Sequence, residues 1–172
     1  MARNLHQTPE VSVLVPVMNE QGNIRPLIDE IAAVYDGRAF EIIYVNDASN
    51  DGTAADLTAA QKDVPELRVI HHQNRSGQSA AVRTALLASR APLIAVLDGD
   101  GQNIPADLPA LEAALLDARP ALGMAGGVRV TRKDSAVAVK WQQSCSSRRS
   151  NDSCSAYLIG CIAQKHFSAR LC

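Results

Sequence analysis

Apolar residues follow two alternating patterns along most of the chain. Short apolar runs predict buried strands at residues 11–17, 40–45, 67–70, 92–97 and 122–130. Stretches with apolar or alanine residues at helical spacing predict helices at 24–34, 54–61, 79–89 and 105–117. Because strands and helices alternate, we expect right-handed βαβ units around a mainly parallel sheet. The predicted fold class is therefore α/β, with three layers.

The pattern changes beyond Asp134. Residues 141–155 are rich in serine, arginine and glutamine, and residues 157–163 form one short apolar island. Since neither segment continues the alternation, the sequence divides into a domain at 10–135 and an atypical Ser- and Cys-rich tail at 136–172. Two interpretations of the tail stay open. It is either disordered or foreign to the domain, from a shifted reading frame or a truncated gene.

Composition excludes several classes of protein. The chain has 172 residues, with 17 Lys and Arg against 18 Asp and Glu, and its net charge of −1 provides no basic field for nucleic acid. No signal peptide is predicted, and no apolar stretch reaches the roughly 20 residues of a membrane span. All four cysteines follow residue 144 without a CxxC pair, which favours reduced thiols over disulfides or zinc ligands. The sequence predicts a cytoplasmic location.

Polar residues follow three of the predicted strands. They are Asn19 and Glu20 after the first, Asn46 and Asp47 after the second, and Asp98 and Asp100 after the fourth. The carboxyl ends of parallel strands meet at one edge of the sheet, where α/β proteins bind ligands, so these side chains are expected to converge. Asp51 and Ser49, by contrast, are expected to form a turn or a helix cap.

The Asp98-Gly-Asp100 turn carries the most specific chemistry. Two carboxylates one residue apart on a tight turn after a buried strand suit Mg²⁺ or Mn²⁺, with substrate phosphates and water completing the coordination. Such an ion neutralises charge that develops on a diphosphate leaving group. The alternative is an ordinary surface turn. The position directly after a buried strand favours the metal site.

Two further segments have weaker signals. Residues 74–79 precede a predicted helix and either present backbone N–H groups to an anion or form an ordinary helix-initiating turn. Arg129, Arg132 and Lys133 form a small basic cluster, which suits diphosphate recognition but by itself favours a solvated charge run. His71 and His72 are expected to be surface or supporting residues rather than catalytic ones.

Together these segments resemble a family 2 glycosyltransferase with a GT-A fold. The resemblance rests on four ordered motifs: VSVLVPVMNE at 11–20, VNDASNDGT at 45–53, NRSGQS at 74–79 and LDGDGQNIP at 97–105. A fifth, GVRVTRKDS at 127–135, is similar to the polyprenyl-phosphate branch, which includes dolichyl-phosphate mannose synthases and undecaprenyl-phosphate sugar transferases. The second motif departs from the family, which usually has two acidic residues where this chain has Asn46 and Asp47.

The resemblance implies an inverting, metal-dependent transfer of a sugar from a nucleotide-diphosphate sugar to a polyprenyl phosphate at the membrane surface. It assigns nucleotide binding to Pro16, Asn19, Glu20, Asp47, Gln78 and Asp98. It assigns the Mg²⁺ or Mn²⁺ site to Asp98 and Asp100, with Gln102 nearby, and contact with the donor diphosphate or lipid phosphate to Arg129 and Arg132. These last two arginines, with Asp98 and Asp100, form the predicted catalytic set.

Residues 135–172 depart from the family pattern. The family continues with an amphipathic segment and an acceptor-site motif, and many members add transmembrane helices, none of which is evident here. The sequence is therefore interpreted as an incomplete GT-A domain, peripheral at the inner face of the membrane. The alternative function is a nucleotide-sugar-binding remnant that lacks the acceptor half and does not transfer. A receiver-like phosphoacceptor module fits the Asp98-Gly-Asp100 turn poorly.

Overall fold

Seven strands form one sheet in the part of the chain that the structure describes. The structure is a computed structural model and describes residues 8–117, 124–128, 138–140 and 158–164. The strands are β1 Val11–Val17, β2 Phe40–Asn46, β3 Leu67–His71, β4 Leu93–Val96, β5 Met124–Val128, β6 Ala138–Lys140 and β7 Leu158–Gln164. The helices are α1 Ile24–Val34, α2 Thr53–Asp63, α3 Gln78–Ala88 and α4 Leu108–Asp117, the last preceded by a 3₁₀ turn at Pro105–Asp107.

The strand order is β3-β2-β1-β4-β7-β5-β6. Strand β1 pairs in parallel with β2 and β4, and β2 pairs in parallel with β3. Strand β7 is antiparallel to both of its neighbours, β4 and β5, so that β5 has the same direction as β4. The predicted α/β class with a mainly parallel sheet is confirmed.

Both faces of the central strand β1 are covered, which explains its continuous apolar sequence. All seven of its residues are buried. Alternate residues from Val11 to Val17 pack with the apolar faces of α1 and α4 and with Leu57 of α2. On the opposite face, Leu14 packs with Ala81 and Ala85 of α3. The sheet therefore lies between two layers of helices, as predicted.

A buried carboxylate joins distant segments at the amino ends of the strands. Glu41 is 1% exposed, and its carboxylate accepts hydrogen bonds from Ser12 Oγ at 2.6 Å and from the Arg90 backbone N–H at 2.7 Å. Arg68 Nη1 donates a further bond at 2.9 Å. Burial alone would raise the pKa of Glu41, but these hydrogen bonds outweigh it and lower the pKa.

Most predicted boundaries differ from the observed ones by one or two residues, but the helix predicted at 105–117 begins three residues late, because its first three residues form a 3₁₀ turn. Strands β2 and β3 each extend one residue further, and α2 begins one residue earlier. No strand was predicted for the apolar island at 157–163, but it overlaps β7, which enters the sheet beside β4. The division at residue 135 stays a prediction. Over the described ranges, the helices are too short or too polar for any of them to cross a membrane.

Candidate functional site

A cavity of about 870 Å³ opens at the carboxyl ends of β1, β2 and β4. Parallel pairing in register brings these three strand ends together, as the sequence predicts. Most of the predicted site residues line the cavity: Pro16, Glu20, Asp47, Gln78, Asp98, Asp100 and Gln102. The sheet thus places side chains that are up to 86 positions apart in the sequence around one space.

Other polar residues after β1 and β2 form hydrogen bonds with one another and do not line the cavity. Asn19 donates its backbone N–H to Ser49 Oγ at 3.0 Å, and its Oδ1 accepts the N–H of Asn50 at 3.0 Å. Asp51 accepts the N–H of Gln21 through Oδ2 and the N–H of Thr53 through Oδ1. Asn19 is not among the residues that line the cavity, so its predicted contact with nucleotide stays a prediction. The turn role predicted for Asp51 and Ser49 is confirmed.

The carboxylate of Asp47 accepts hydrogen bonds from other groups of the chain. Its Oδ1 lies 2.7 Å from His72 Nδ1 and accepts the N–H of Ser76 at 2.8 Å, and its Oδ2 accepts the N–H of Gly77 at 2.7 Å. His72 in turn contacts Thr84 Oγ1 of α3 at 2.9 Å through Nε2. The backbone N–H groups before α3 do face an anion, as the sequence suggested, and that anion is Asp47. His72 is confirmed as a supporting residue.

These contacts decide the charge of Asp47. Burial alone would raise its pKa, but the hydrogen bonds from His72, Ser76 and Gly77 outweigh burial and hold the pKa below the ordinary value. Asp47 is therefore ionised at neutral pH, and it fixes the loop that carries Arg75 and Gln78 at the wall of the cavity.

The acidic turn packs closely against the end of β1. A Cβ atom on Gly99 would meet the side chain of Val17 and would lie 3.2 Å from the carbonyl oxygen of Pro16. Glycine is therefore required for the approach that brings Asp98 and Asp100 into the cavity. The carboxylate of Asp100 also accepts the N–H of Gln102 at 3.0 Å, which tightens the turn.

The electrostatic surroundings of Asp98 suit a cation ligand. Burial raises its pKa, and the nearby charge of Asp100 raises it further, while contacts with Asn103 and Gln78 lower it in part. Gln78 Nε2 donates a hydrogen bond to Asp98 Oδ1 at 2.7 Å. Two carboxylates that repel each other are stabilised when a divalent cation binds between them. The residues present therefore fit a Mg²⁺ or Mn²⁺ ion.

The described chain supplies only part of such a coordination sphere. No group of three or more His, Cys, Asp or Glu side chains in the described ranges is arranged to hold a metal ion. This agrees with the preference of Mg²⁺ for one or two carboxylates, completed by substrate phosphates and water.

The charged residues in the described lining of the cavity are mostly acidic. The lining contains the carboxylates of Glu20, Asp47, Asp98 and Asp100 against a single guanidinium, that of Arg75. An anionic ligand without a cation would be repelled by such a surface. The same ligand accompanied by a divalent cation would be attracted, so a cation and a phosphorylated ligand are expected to bind together.

Two polar residues of the cavity were not predicted as site residues from the sequence. They are Arg75 and Asn103, both of which line it. Arg75 lies within the motif at 74–79, of which only the backbone was considered, while no local signal distinguishes Asn103. Arg129 and Arg132, predicted to contact phosphate, lie outside the described residues.

Comparisons with known proteins agree with this geometry. The family model for Glycosyl transferase family 2 matches residues 12–160. Dodecaprenyl-phosphate galacturonate synthase of Rhizobium johnstonii is 36% identical over 163 residues, which cover 91% of this chain and 44% of that protein. Undecaprenyl-phosphate 4-deoxy-4-formamido-L-arabinose transferase of Pseudomonas aeruginosa is 36% identical over 129 residues, which cover 73% of this chain and 37% of that protein. The chain spans less than half the length of these relatives.

Two solved structures share the fold. The mannosyltransferase PcManGT of Pyrobaculum calidifontis, in complex with GDP-Man and Mn²⁺, has a TM-score of 0.59 and 28% identity, covering 72% of this chain and 36% of that one. Glucosyl-3-phosphoglycerate synthase of Mycobacterium tuberculosis was solved in complex with Mn²⁺, UDP and glucosyl-3-phosphoglycerate. It has a TM-score of 0.56 and 25% identity, and the match covers 67% of this chain and 42% of that one.

Proposed function

The chain belongs to glycosyl transferase family 2, and on that premise we propose that it transfers a sugar from a nucleotide-diphosphate sugar to a polyprenyl phosphate. Its fold is the GT-A fold predicted from the motifs. The observation that carries the proposal is the cavity at the carboxyl edge, where the Asp98-Gly-Asp100 turn meets Glu20 and the loop held by Asp47. A phosphorylated donor with its cation fits this combination of charges.

Asp98 and Asp100 are proposed to hold the cation, either Mg²⁺ or Mn²⁺. When bound, the cation neutralises the negative charge that develops on the departing nucleoside diphosphate. The two carboxylates come from a turn whose position is fixed by the contact of Gly99 with β1. Two relatives of known structure carry Mn²⁺, which supports a divalent cation in this family.

The remaining lining is proposed to hold the nucleotide. Pro16 and the half-buried Met18 contribute apolar groups to the lining, against which a base can lie. Glu20 offers a carboxylate that can accept hydrogen bonds from ribose hydroxyls. Asp47 acts indirectly, because its oxygens are already bound by His72 and the loop N–H groups. Gln78 reaches the same region through its contact with Asp98.

Transfer to a phosphate acceptor does not need a strong general base. A polyprenyl phosphate is already ionised at neutral pH, so its oxygen can attack the anomeric carbon from the face opposite the leaving group, with inversion. The protein then contributes positioning and stabilisation of the leaving group. Arg129 and Arg132 are proposed to hold phosphate groups, and the acceptor places the reaction at the inner membrane surface.

The proposal is tested first by isothermal titration calorimetry of the full chain with UDP and with GDP, each with Mn²⁺ and with EDTA. We expect binding of one nucleotide that depends on Mn²⁺ and is lost in Asp100→Ala. Absence of Mn²⁺-dependent binding to either nucleotide would overturn the donor site.

A transfer assay with a short polyprenyl phosphate distinguishes a sugar transferase from a protein that only binds nucleotide sugars. Sugar transfer by the 172-residue chain supports the transferase. Mn²⁺-dependent nucleotide binding without transfer, with each candidate donor, would instead support a protein that binds nucleotide sugars and does not transfer them.

A further inference from the structure

Charge is distributed unevenly along the sequence. Residues 67–97, which include β3, α3 and β4, contain no Asp or Glu and four arginines: Arg68, Arg75, Arg83 and Arg90. Glu66, directly before this segment, is half-buried. The whole chain, by contrast, has 17 basic and 18 acidic residues. The segment therefore carries a local positive charge on a chain whose total charge is close to zero.

Helix α3 forms the outer layer on one face of the sheet. Its buried residues Ala81 and Ala85 pack against Leu14 and neighbouring side chains of β2 and β4, and no other described helix contributes to this cluster. Arg83 and Leu87, one turn apart, lie on the opposite, exposed side of the helix. Leu87 is 71% exposed, and of the three large apolar side chains that are exposed in the described ranges it is the one on α3.

Arg68 and Arg90 lie together at the C-terminal end of α3. Both donate hydrogen bonds to Glu41 Oε2, at 2.9 Å from Arg68 Nη1 and at 3.0 Å from Arg90 Nε. Arg68 Nη1 also donates to the carbonyl oxygen of Ala88, the residue after Leu87, at 2.9 Å. Glu41 is buried, whereas the two arginine side chains are 39% and 59% exposed. Two guanidinium groups therefore share one buried carboxylate, which leaves one positive charge in excess beside Leu87.

The guanidinium group of Arg83 has no hydrogen-bond or ion-pair partner among the described residues. Arg25, an exposed arginine on α1, is held instead by Asp29 at 2.9 Å and by Asp63 at 3.0 Å. The charge and the N–H donors of Arg83 are therefore available to a ligand, one turn before the exposed side chain of Leu87.

Four residues make up what we call the α3 face: Arg68, Arg83, Leu87 and Arg90. An exposed leucine between arginines suits an anionic lipid surface, because the apolar side chain enters the boundary between headgroups and acyl chains while the guanidinium groups pair with lipid phosphates. A stable interface with another protein normally buries roughly 800 Å² on each partner, with a more apolar centre. The α3 face has one large exposed apolar side chain, so its composition favours lipid over protein.

We propose that the α3 face docks on an anionic lipid surface. Gln78 and Ala81, in the first turn of α3, line the cavity. Since the 11 residues of α3 span only about 16 Å, docking along the helix keeps the cavity close to the lipid. In this respect the inference rests on the proposed function, which takes the acceptor to be a lipid phosphate.

The experiment measures binding of the full chain to vesicles by co-sedimentation. One set of vesicles is phosphatidylcholine alone, and the other is an equal mixture of phosphatidylcholine and the anionic lipid phosphatidylglycerol. Binding is recorded at roughly 0.1 M and roughly 1 M salt, between which the screening length falls from about 10 Å to about 3 Å. We expect binding to the mixed vesicles that weakens at high salt, and much weaker binding to phosphatidylcholine alone.

Two substitutions on the α3 face test the residues themselves. Arg83→Gln removes one charge, and we expect the partition coefficient for the mixed vesicles to fall about fivefold. Leu87→Gln removes the apolar contact, and we expect a fall of about tenfold. The matched controls, on the opposite side of the sheet, are Arg25→Gln in α1 and Leu116→Gln in α4, which should leave vesicle binding unchanged. All four positions are exposed, so the melting temperatures should stay near that of the wild type.

Salt-sensitive binding to the anionic vesicles, weakened by both substitutions on the α3 face and by neither control, supports the inference. Absence of vesicle binding, equal binding to the two kinds of vesicle, or equal losses in the controls overturns it. A dimer in analytical ultracentrifugation that dissociates in Leu87→Gln, without vesicle binding, also overturns it and assigns the α3 face to contact with a second copy of the chain.

The outcome is separable from that of the proposed function. Neither Arg83 nor Leu87 lines the cavity, so both variants should bind nucleotide as the wild type does. Vesicle binding without Mn²⁺-dependent nucleotide binding in the wild type contradicts the proposed function alone. Nucleotide binding without vesicle binding removes only the role of the α3 face.

Discussion

His72 Nδ1 lies 2.7 Å from Asp47 Oδ1, and this contact ties the loop after β3 to the end of β2. The two side chains are 15% and 5% exposed, so the pair is largely shielded from water. The N–H groups of Ser76 and Gly77 complete the set of donors around the same carboxylate. One ionised aspartate therefore organises the loop that carries Arg75 and Gln78 to the cavity.

The first prediction concerns this carboxylate. Asp47→Asn removes the charge that three donors share, so we expect the free energy of unfolding to fall by about 2 kcal/mol. Nucleotide affinity should fall as well, because the loop is held less firmly. Urea unfolding and calorimetry measure the two effects. Asp29→Asn, which disrupts an ion pair with Arg25 whose side chains are both more than half exposed, is the control and should cost less than about 1 kcal/mol. Equal effects of the two substitutions would contradict the assigned role of Asp47.

The contact between Asp47 and His72 also implies that the free energy of unfolding depends on pH. The pKa of Asp47 is held below its ordinary value of 3.8, so its stabilisation is fully present above that value and is lost as the pH falls through the lowered pKa. The difference in unfolding free energy between wild type and Asp47→Asn should therefore be constant near neutral pH and shrink below about pH 4. Unfolding curves from pH 3 to pH 7 test this. A difference that stays constant down to pH 3 would be inconsistent with it.

Ionised Asp98 is expected to destabilise the protein, whereas ionised Asp47 stabilises it. Burial and Asp100 raise its pKa, so its ionised form destabilises the metal-free fold at neutral pH. We expect Asp98→Asn to melt at a higher temperature than the wild type in EDTA, and this advantage should disappear as the pH falls below the ordinary value of 3.8. The variant should also lose Mn²⁺-dependent nucleotide binding. Asp117→Asn, at an exposed position at the end of α4, is the control. A lower melting temperature for Asp98→Asn would show that the carboxylate stabilises the metal-free fold.

A larger residue in place of Gly99 is expected to displace the Asp98-Gly-Asp100 turn. Gly99→Ala places a methyl group against Val17 and the Pro16 carbonyl, and the turn must move to accommodate it. We expect a loss of about 1–3 kcal/mol in stability and a clear loss of Mn²⁺-dependent binding. In Gly52→Ala the new methyl group meets only the flexible side chain of Gln21, so its effect on metal-dependent binding should be small. Calorimetry that finds equal binding in the two variants would argue against a tightly fixed turn.

Ala48 is held in a backbone conformation that favours glycine. Its φ is 57°, in the left-handed region, which costs a residue with a Cβ atom roughly 1–2 kcal/mol. After allowance for the greater freedom of glycine in the unfolded chain, Ala48→Gly should stabilise the protein by about 0.5–1 kcal/mol. Ala59→Gly, the same substitution at an exposed position in α2, should destabilise it by about 1 kcal/mol. Urea unfolding that gives both variants the same sign would contradict the assignment of strain to Ala48.

The sequence predicted the four parallel strands and the helices between them to within one or two residues. This was possible because the buried faces of strands and helices give each a characteristic spacing of apolar residues. It also predicted that Glu20, Asp98 and Asp100 lie at one edge, since parallel strands joined by right-handed crossovers end on the same side. These conclusions need only local patterns and the order of the elements.

The tertiary structure decided which partner each polar group has. The sequence assigns Asp47 to the nucleotide, but the fold surrounds its carboxylate with His72 and two backbone donors. The fold likewise inserts β7 beside β4 and buries Asn103 at the cavity. Local periodicity records how deeply a residue is buried but not which distant group it faces. That choice depends on the packing of segments that are far apart in the chain.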